Sequence, residues 1–211
     1  MPDVSHRGWH SVRRAEDARI LPQVIGVGFT EVLAAAKAGD SDAFATLWRD
    51  TNPPLLRYLS LLDPSAAEDL AAETWLNVVR GLRTFAGEEL AWRAWVLTIA
   101  RRRGVDDLRR KIRQPTTSLS WPPGGDGAYQ GGAADDTADV VLRRFDTRAA
   151  LELIATLPPL QAEVLVLRVV AGLPVHLVAQ IVGRSPGAVR VAAHRGLRTL
   201  ARMLAEAGVT L

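Results

Sequence analysis

The chain of 211 residues contains no cysteine. That excludes disulfides, thiolate zinc fingers and a thiol nucleophile, and it fits a reducing cytosol. Lysine is nearly absent as well: of 26 basic residues, only Lys37 and Lys111 are not arginine. No apolar run reaches the roughly 20 residues of a membrane span, and Met1 to His10 lacks the apolar core of a signal peptide. The expectation is a cytoplasmic protein with no membrane insertion. Catalytic signatures are equally sparse. His6, His10, His176 and His194 show no ligand spacing, and the chain has no carboxylate pair with a metal pattern, no nucleophile with a base and no phosphate-binding glycine loop. We therefore expect no metal, no cofactor and no enzymatic activity.

What is present is helical. A hydrophobic content of 48% is enough to bury a core in each of one or two small domains. Apolar residues recur at helical spacing in every patterned segment, with neither strand alternation nor an internal repeat. The fold class expected is all-α, with two small helical domains joined by a flexible acidic linker. Residues 1–28 read as a mobile extension, 29–113 as the first domain, 114–139 as the linker and 140–211 as the second domain.

In the first domain, Ser41 is expected to cap a helix that Asn52-Pro53-Pro54 breaks, and Pro64-Ser65 to start the next. Ala71, Trp75, Val78 and Leu82 mark that helix's core face; Asp69, Glu73, Asn77 and Arg80 line the other. A long helix from Leu90 to about Arg110 is apolar in its first half, with Trp92 and Trp95, and basic in its second. The linker carries Pro115, Pro122, Pro123 and repeated Gly-Gly pairs, which rule out regular structure, together with four aspartates and no basic residue. Helices resume at Val140–Thr156 and Leu160–Val170.

The most informative segment is Gly172 to Arg198. Ala179, Gly183 and Val189 sit where two short helices must cross at a tight turn, with Val178 and Val182 closing the apolar face. Ser185 reads as an N-cap and Pro186 as a first-turn proline. In the second helix, Val189, Ala193, Leu197, Leu200 and Leu204 are expected to form the buried stripe. From Arg184 to Arg202 there are five arginines and no acid. A lone basic helix is as often a solvated face as a DNA reader, but behind helix-turn-helix spacing the balance moves to the major groove. Arg101 to Arg113 is a second patch of net +5. The whole chain is only +3, so the remainder is −7. Two separated basic patches on an otherwise acidic chain suit an extended polyanion gripped at two places.

From Thr30 to Leu204 the ordered set of motifs resembles the extracytoplasmic-function sigma factors, the sigma-70 members that keep only regions 2 and 4. It comprises Ala38-Gly-Asp40, Leu55-Leu-Arg-Tyr-Leu59, Ala67-Glu-Asp-Leu70, Glu73-Thr-Trp-Leu76, Trp95-Val-Leu-Thr-Ile-Ala-Arg101, Leu157-Pro-Pro159, Glu163-Val-Leu-Val-Leu-Arg168 and the helix-turn-helix. Three departures stand out. Arg102 occupies a usual asparagine position, Val175-His176 replace acids of the first helix of the motif, and Val191-Ala192 replace a common serine-arginine pair.

The resemblance implies a protein that gives core RNA polymerase its promoter specificity, drives DNA melting and starts transcription, with partners and residues as follows. Asp69, Glu73, Asn77 and Arg80 would dock on the beta-prime clamp, while the second domain meets the beta flap. The loop Phe85, Gly87, Glu88 and Glu89 would receive a base flipped from the melted minus-10 strand. Trp92 would lie beside it, and Arg101, Arg102, Arg103, Arg109, Arg110, Lys111 and Arg113 would hold the backbone. Ser185, Arg190, His194, Arg195 and Arg198 would meet duplex DNA at minus 35. We expect Trp95 to be buried and Trp92 to be the partial exception. The linker is either an RNA mimic in the polymerase's RNA path or a tether, and control would come in trans from an anti-sigma protein. The alternative is a free-standing helix-turn-helix regulator that never enters polymerase.

Overall fold

A computed structural model describes residues 25–113 and 149–206, and among these every regular element is helical. A 3-10 turn at Gly26–Gly28 leads into α1 (Phe29–Ala38), followed by α2 (Ser41–Leu62), α3 (Ala67–Gly81) and α4 (Glu89–Arg113). The second half holds α5 (149–155), α6 (Pro159–Leu165) running into a π turn at Val166–Val170, then α7 (Val175–Val182) and α8 (Pro186–Glu206). The whole of the expected linker, the first 24 residues, 140–148 and the last five residues lie outside the described residues.

Helix starts follow local chemistry. Asp40, one residue before the expected cap Ser41, accepts from the amides of Asp42 and Ala43 at 2.8 and 2.9 Å. Gly39 closes α1 at φ 100°, a left-handed conformation that favours glycine. Pro64 to Ala66 form a turn, with the Ser65 amide and hydroxyl both donating to Asp63, and α3 begins at Ala67.

The Asn52-Pro53-Pro54 break does not occur: α2 runs through both prolines. Proline has a helical φ, so its penalty is the missing N–H and a clash with the turn before it. Here the two residues ahead of the prolines are pinned from outside. Trp92 donates its indole N–H to the Thr51 hydroxyl, and Trp75 donates to the Asn52 side-chain oxygen, both at 2.9 Å. Tertiary bonds to neighbouring helices hold a helix that local propensity opposes.

Around α2 pack α1, α3 and α4, burying Leu47, Leu55, Tyr58, Leu59, Val78, Trp92 and Val96. The expected core face of α3 is buried as read. The two tryptophans exchange roles: Trp92 is fully buried, while Trp95 is half-buried, stacked on Phe85 at 4.9 Å between centroids. In the second half α6 lies across α8 at Gly196, where a Cβ would come within 2.8 Å of Leu165 Cδ1. The buried face of α8 is therefore Val189, Ala192 and Gly196, with Leu200, Met203 and Leu204 half-buried. Leu197, expected inside, is 53% exposed. The close approach at Gly196 rotates the contact face away from the stripe that apolar spacing alone suggests.

The halves also meet each other. α4 packs on α7, and α2 packs on α6 and the π turn. At their centre the buried Tyr58 hydroxyl donates to Glu163 Oε1 at 2.8 Å, and Arg101 Nε donates to the same oxygen at 2.7 Å. Burial first, and then the adjacent Glu163 charge, push the Tyr58 phenol well above its usual pKa.

Candidate nucleic-acid and polymerase interfaces

The helix-turn-helix is formed by α7 and α8. Gly183 closes α7 at φ 66°, and the Arg184 amide reaches back to the Ala179 carbonyl at 3.0 Å, a helix-ending loop that needs a left-handed residue. Ser185 caps α8, its hydroxyl accepting from the Ala188 amide at 3.2 Å, and Pro186 opens the helix. Val178, Ala179, Val182 and Val189 are buried at the crossing. Arg190, His194, Arg195 and Arg198 are all exposed on the outer side, as is Val191, which is 50% exposed.

On α3, Asp69, Glu73 and Arg80 are exposed and Asn77 is half-buried, so the row forms one outward surface. Beside these polar groups stand Leu76 and Val79, 58% and 52% exposed, which sequence reasoning left out. Their signal was present: they are apolar residues that fall off the Ala71, Trp75, Val78 stripe. Arg103 of α4 also joins this surface. It donates to Asn77 Oδ1 at 3.1 Å and lies 3.8 Å from the Glu73 carboxylate. The structure groups Arg103 with the α3 row instead of with the basic end of α4.

The basic end of α4 is thereby sorted into faces. Arg102, Arg109 and Arg113 at i, i+7 and i+11 share one exposed side. Arg110 and Lys111 lie beside Asp107, and Lys111 also donates to Asp63 at 2.5 Å. That hydrogen bond, with the Ser65 hydroxyl, holds the Asp63 carboxyl down at about 2. Arg101 points the other way, to Glu163.

The loop before α4 is braced from within. Phe85 is buried, packed against Trp92 and Trp95, and its carbonyl accepts from the Lys37 ammonium. Glu89, expected as an acceptor for a base, is buried instead. It pairs with Arg93 at 2.6 Å and accepts from the amides of Ile25 and Gly26. Ala86, Gly87 and Glu88 of this loop are exposed, with the half-buried Trp95 beside them. Of the aromatic and acidic residues assigned to the minus-10 contact, Phe85, Glu89 and Trp92 belong to the core beneath it.

No group of His, Asp and Glu suited to a metal occurs among the described residues, and no helix there is long and apolar enough to cross a membrane.

Comparison with known proteins identifies the two halves separately. Residues 47–114 match the family described as Sigma-70 region 2, and residues 147–200 match Sigma-70, region 4. The chain is 35% identical over 178 residues to the ECF RNA polymerase sigma factor ShbA of Streptomyces griseus, covering 81% of this chain and 92% of that protein. It is 31% identical over 179 residues to the ECF RNA polymerase sigma factor BldN of Streptomyces coelicolor, covering 83% of this chain but only 66% of the relative. Among solved structures, the sigma factor RpoE in complex with the anti-sigma factor NepR from Bartonella quintana superposes with a TM-score of 0.55 at 22% identity, over 76% of this chain and 96% of that one. CnrH in complex with the cytosolic domain of CnrY gives 0.51 at 19%, over 83% and 96%. Two sigma-70 regions in order, each with its expected helices, and close relatives over most of its length show that the chain belongs to the extracytoplasmic-function RNA polymerase sigma factors.

Proposed function

We propose that this sigma factor docks on the polymerase clamp through the outer face of α3, holds the minus-10 region with α4 and the loop before it, and reads the minus-35 element with α8. The observation that carries the clamp assignment is the composition of the α3 face. Asp69, Glu73, Asn77 and Arg80 stand beside two exposed apolar residues, Leu76 and Val79, so one outward face of the helix combines charge with apolar surface, as a protein interface does. Arg103 braces that face from α4. On the DNA side, Arg102, Arg109, Arg110, Lys111 and Arg113 supply backbone charge at minus 10, with Gly87, Glu88 and Trp95 at the edge of the melted strand. Arg190, His194, Arg195 and Arg198 enter the groove at minus 35, with the Ser185-capped helix start available to a phosphate. The chain acts in the cytoplasm, where core polymerase is, and catalyses no reaction of its own. The RpoE structure contains an anti-sigma factor, which supports control of this chain in trans by a protein of that kind.

Co-purification with core polymerase tests the clamp face. Reversing Asp69 and Glu73 to lysine together abolishes core binding while the helical spectrum stays normal, since exposed substitutions cost about 0.5 kcal/mol or less. A folded double variant that still binds core would overturn the assignment, and a wild-type chain that binds DNA but never core would be a free-standing regulator.

A further inference from the structure

Along α8, successive residues turn by about 100°, so Gly187, Val191, His194 and Arg198 at i, i+4, i+7 and i+11 form a single stripe. That stripe lies opposite the buried Val189, Ala192 and Gly196. Arg190 and Arg195 flank it. Val191 is thus a half-exposed β-branched residue on a surface that is mostly arginine and histidine, and nothing among the described residues covers it. One turn earlier, Gly187 leaves the helix bare, with only the Ser185 hydroxyl near where a side chain would begin. The backbone can therefore approach a groove floor closely at Val191. Its neighbour Ala192 is buried and takes no part.

In the major groove the apolar feature that base pairs present is the thymine C5-methyl group. The geometry points to Val191 as a specificity-determining residue that packs on one thymine methyl of the minus-35 element, between arginines that position the helix. This rests on α8 being the recognition helix. The probe is a promoter duplex whose minus-35 thymines, on either strand, are replaced one at a time by uracil, which removes the methyl and keeps every hydrogen bond. Holoenzyme containing the wild-type chain loses about fourfold in affinity at one such position, the ~0.8 kcal/mol of a single buried methyl-sized group. V191S erases the difference between thymine and uracil there, while R190A weakens both duplexes and keeps the difference. If uracil changes nothing at any position while R190A and R198A still weaken binding, the methyl contact is wrong and the recognition helix stands. If the arginine variants also bind normally, both fail.

Discussion

Arg93 is the residue on which the loop before α4 most depends. Its guanidinium lies between Glu89 at 2.6 Å and Asp50 at 3.4 Å, and all three side chains are buried. Burial raises the Asp50 carboxyl, and Arg93 is the charge that opposes this. Arg93→Ala would leave two buried carboxylates without it, so chemical denaturation should show a loss of about 3–5 kcal/mol. Asp63 gives a pH signature. Its carboxyl is held at about 2 in the fold, below the unfolded value near 3.9, so its contribution is complete above about pH 4 and disappears as pH falls through 2. The stability gap between wild type and Asp63→Asn should be flat at neutral pH and close on acidification. Residue identity was legible where a pattern repeats, as with Ala71, Trp75 and Val78. It was not legible where one distant partner decides: Trp92 is buried because Thr51, 41 residues away, accepts its N–H. Glu89 is likewise committed by the amides of Ile25 and Gly26, which no local pattern announces.

At the scale of elements, α8 depends on a glycine. Gly196→Leu should force Leu165 and α6 apart, costing about 1–3 kcal/mol and tilting α8. Thermal unfolding would register the first effect and minus-35 binding the second, although no charge has been altered. A normal melting temperature with normal binding would show that the contact is looser than drawn. The helix-turn-helix was legible in detail because its signals are local: a left-handed Gly183, a capping Ser185 and a first-turn Pro186. The α8 packing face was less so, since glycine carries no apolar signal and Leu197 filled the gap in the pattern. The same limit applies to α2, where two prolines signal a break locally and two tryptophans from other helices overrule it.

For the whole molecule, the order of motifs was enough to place the chain among the sigma factors, because two regions in sequence are far more specific than either basic helix alone. The contact between the halves was not legible. Tyr58 and Glu163 are 105 residues apart, and neither belongs to a charged cluster. That contact also reassigns Arg101 from the basic patch of α4 to the joint between the halves. The central claim is that this chain confers promoter specificity on polymerase through two separated DNA surfaces. Run-off transcription with purified core polymerase and genomic DNA tests it most directly. Core with the wild-type chain should yield discrete transcripts, which core alone does not, and the double variant Arg190→Ala, Arg198→Ala should lose those that depend on a minus-35 element. A folded wild-type chain that leaves the transcripts of core polymerase unchanged would contradict the account.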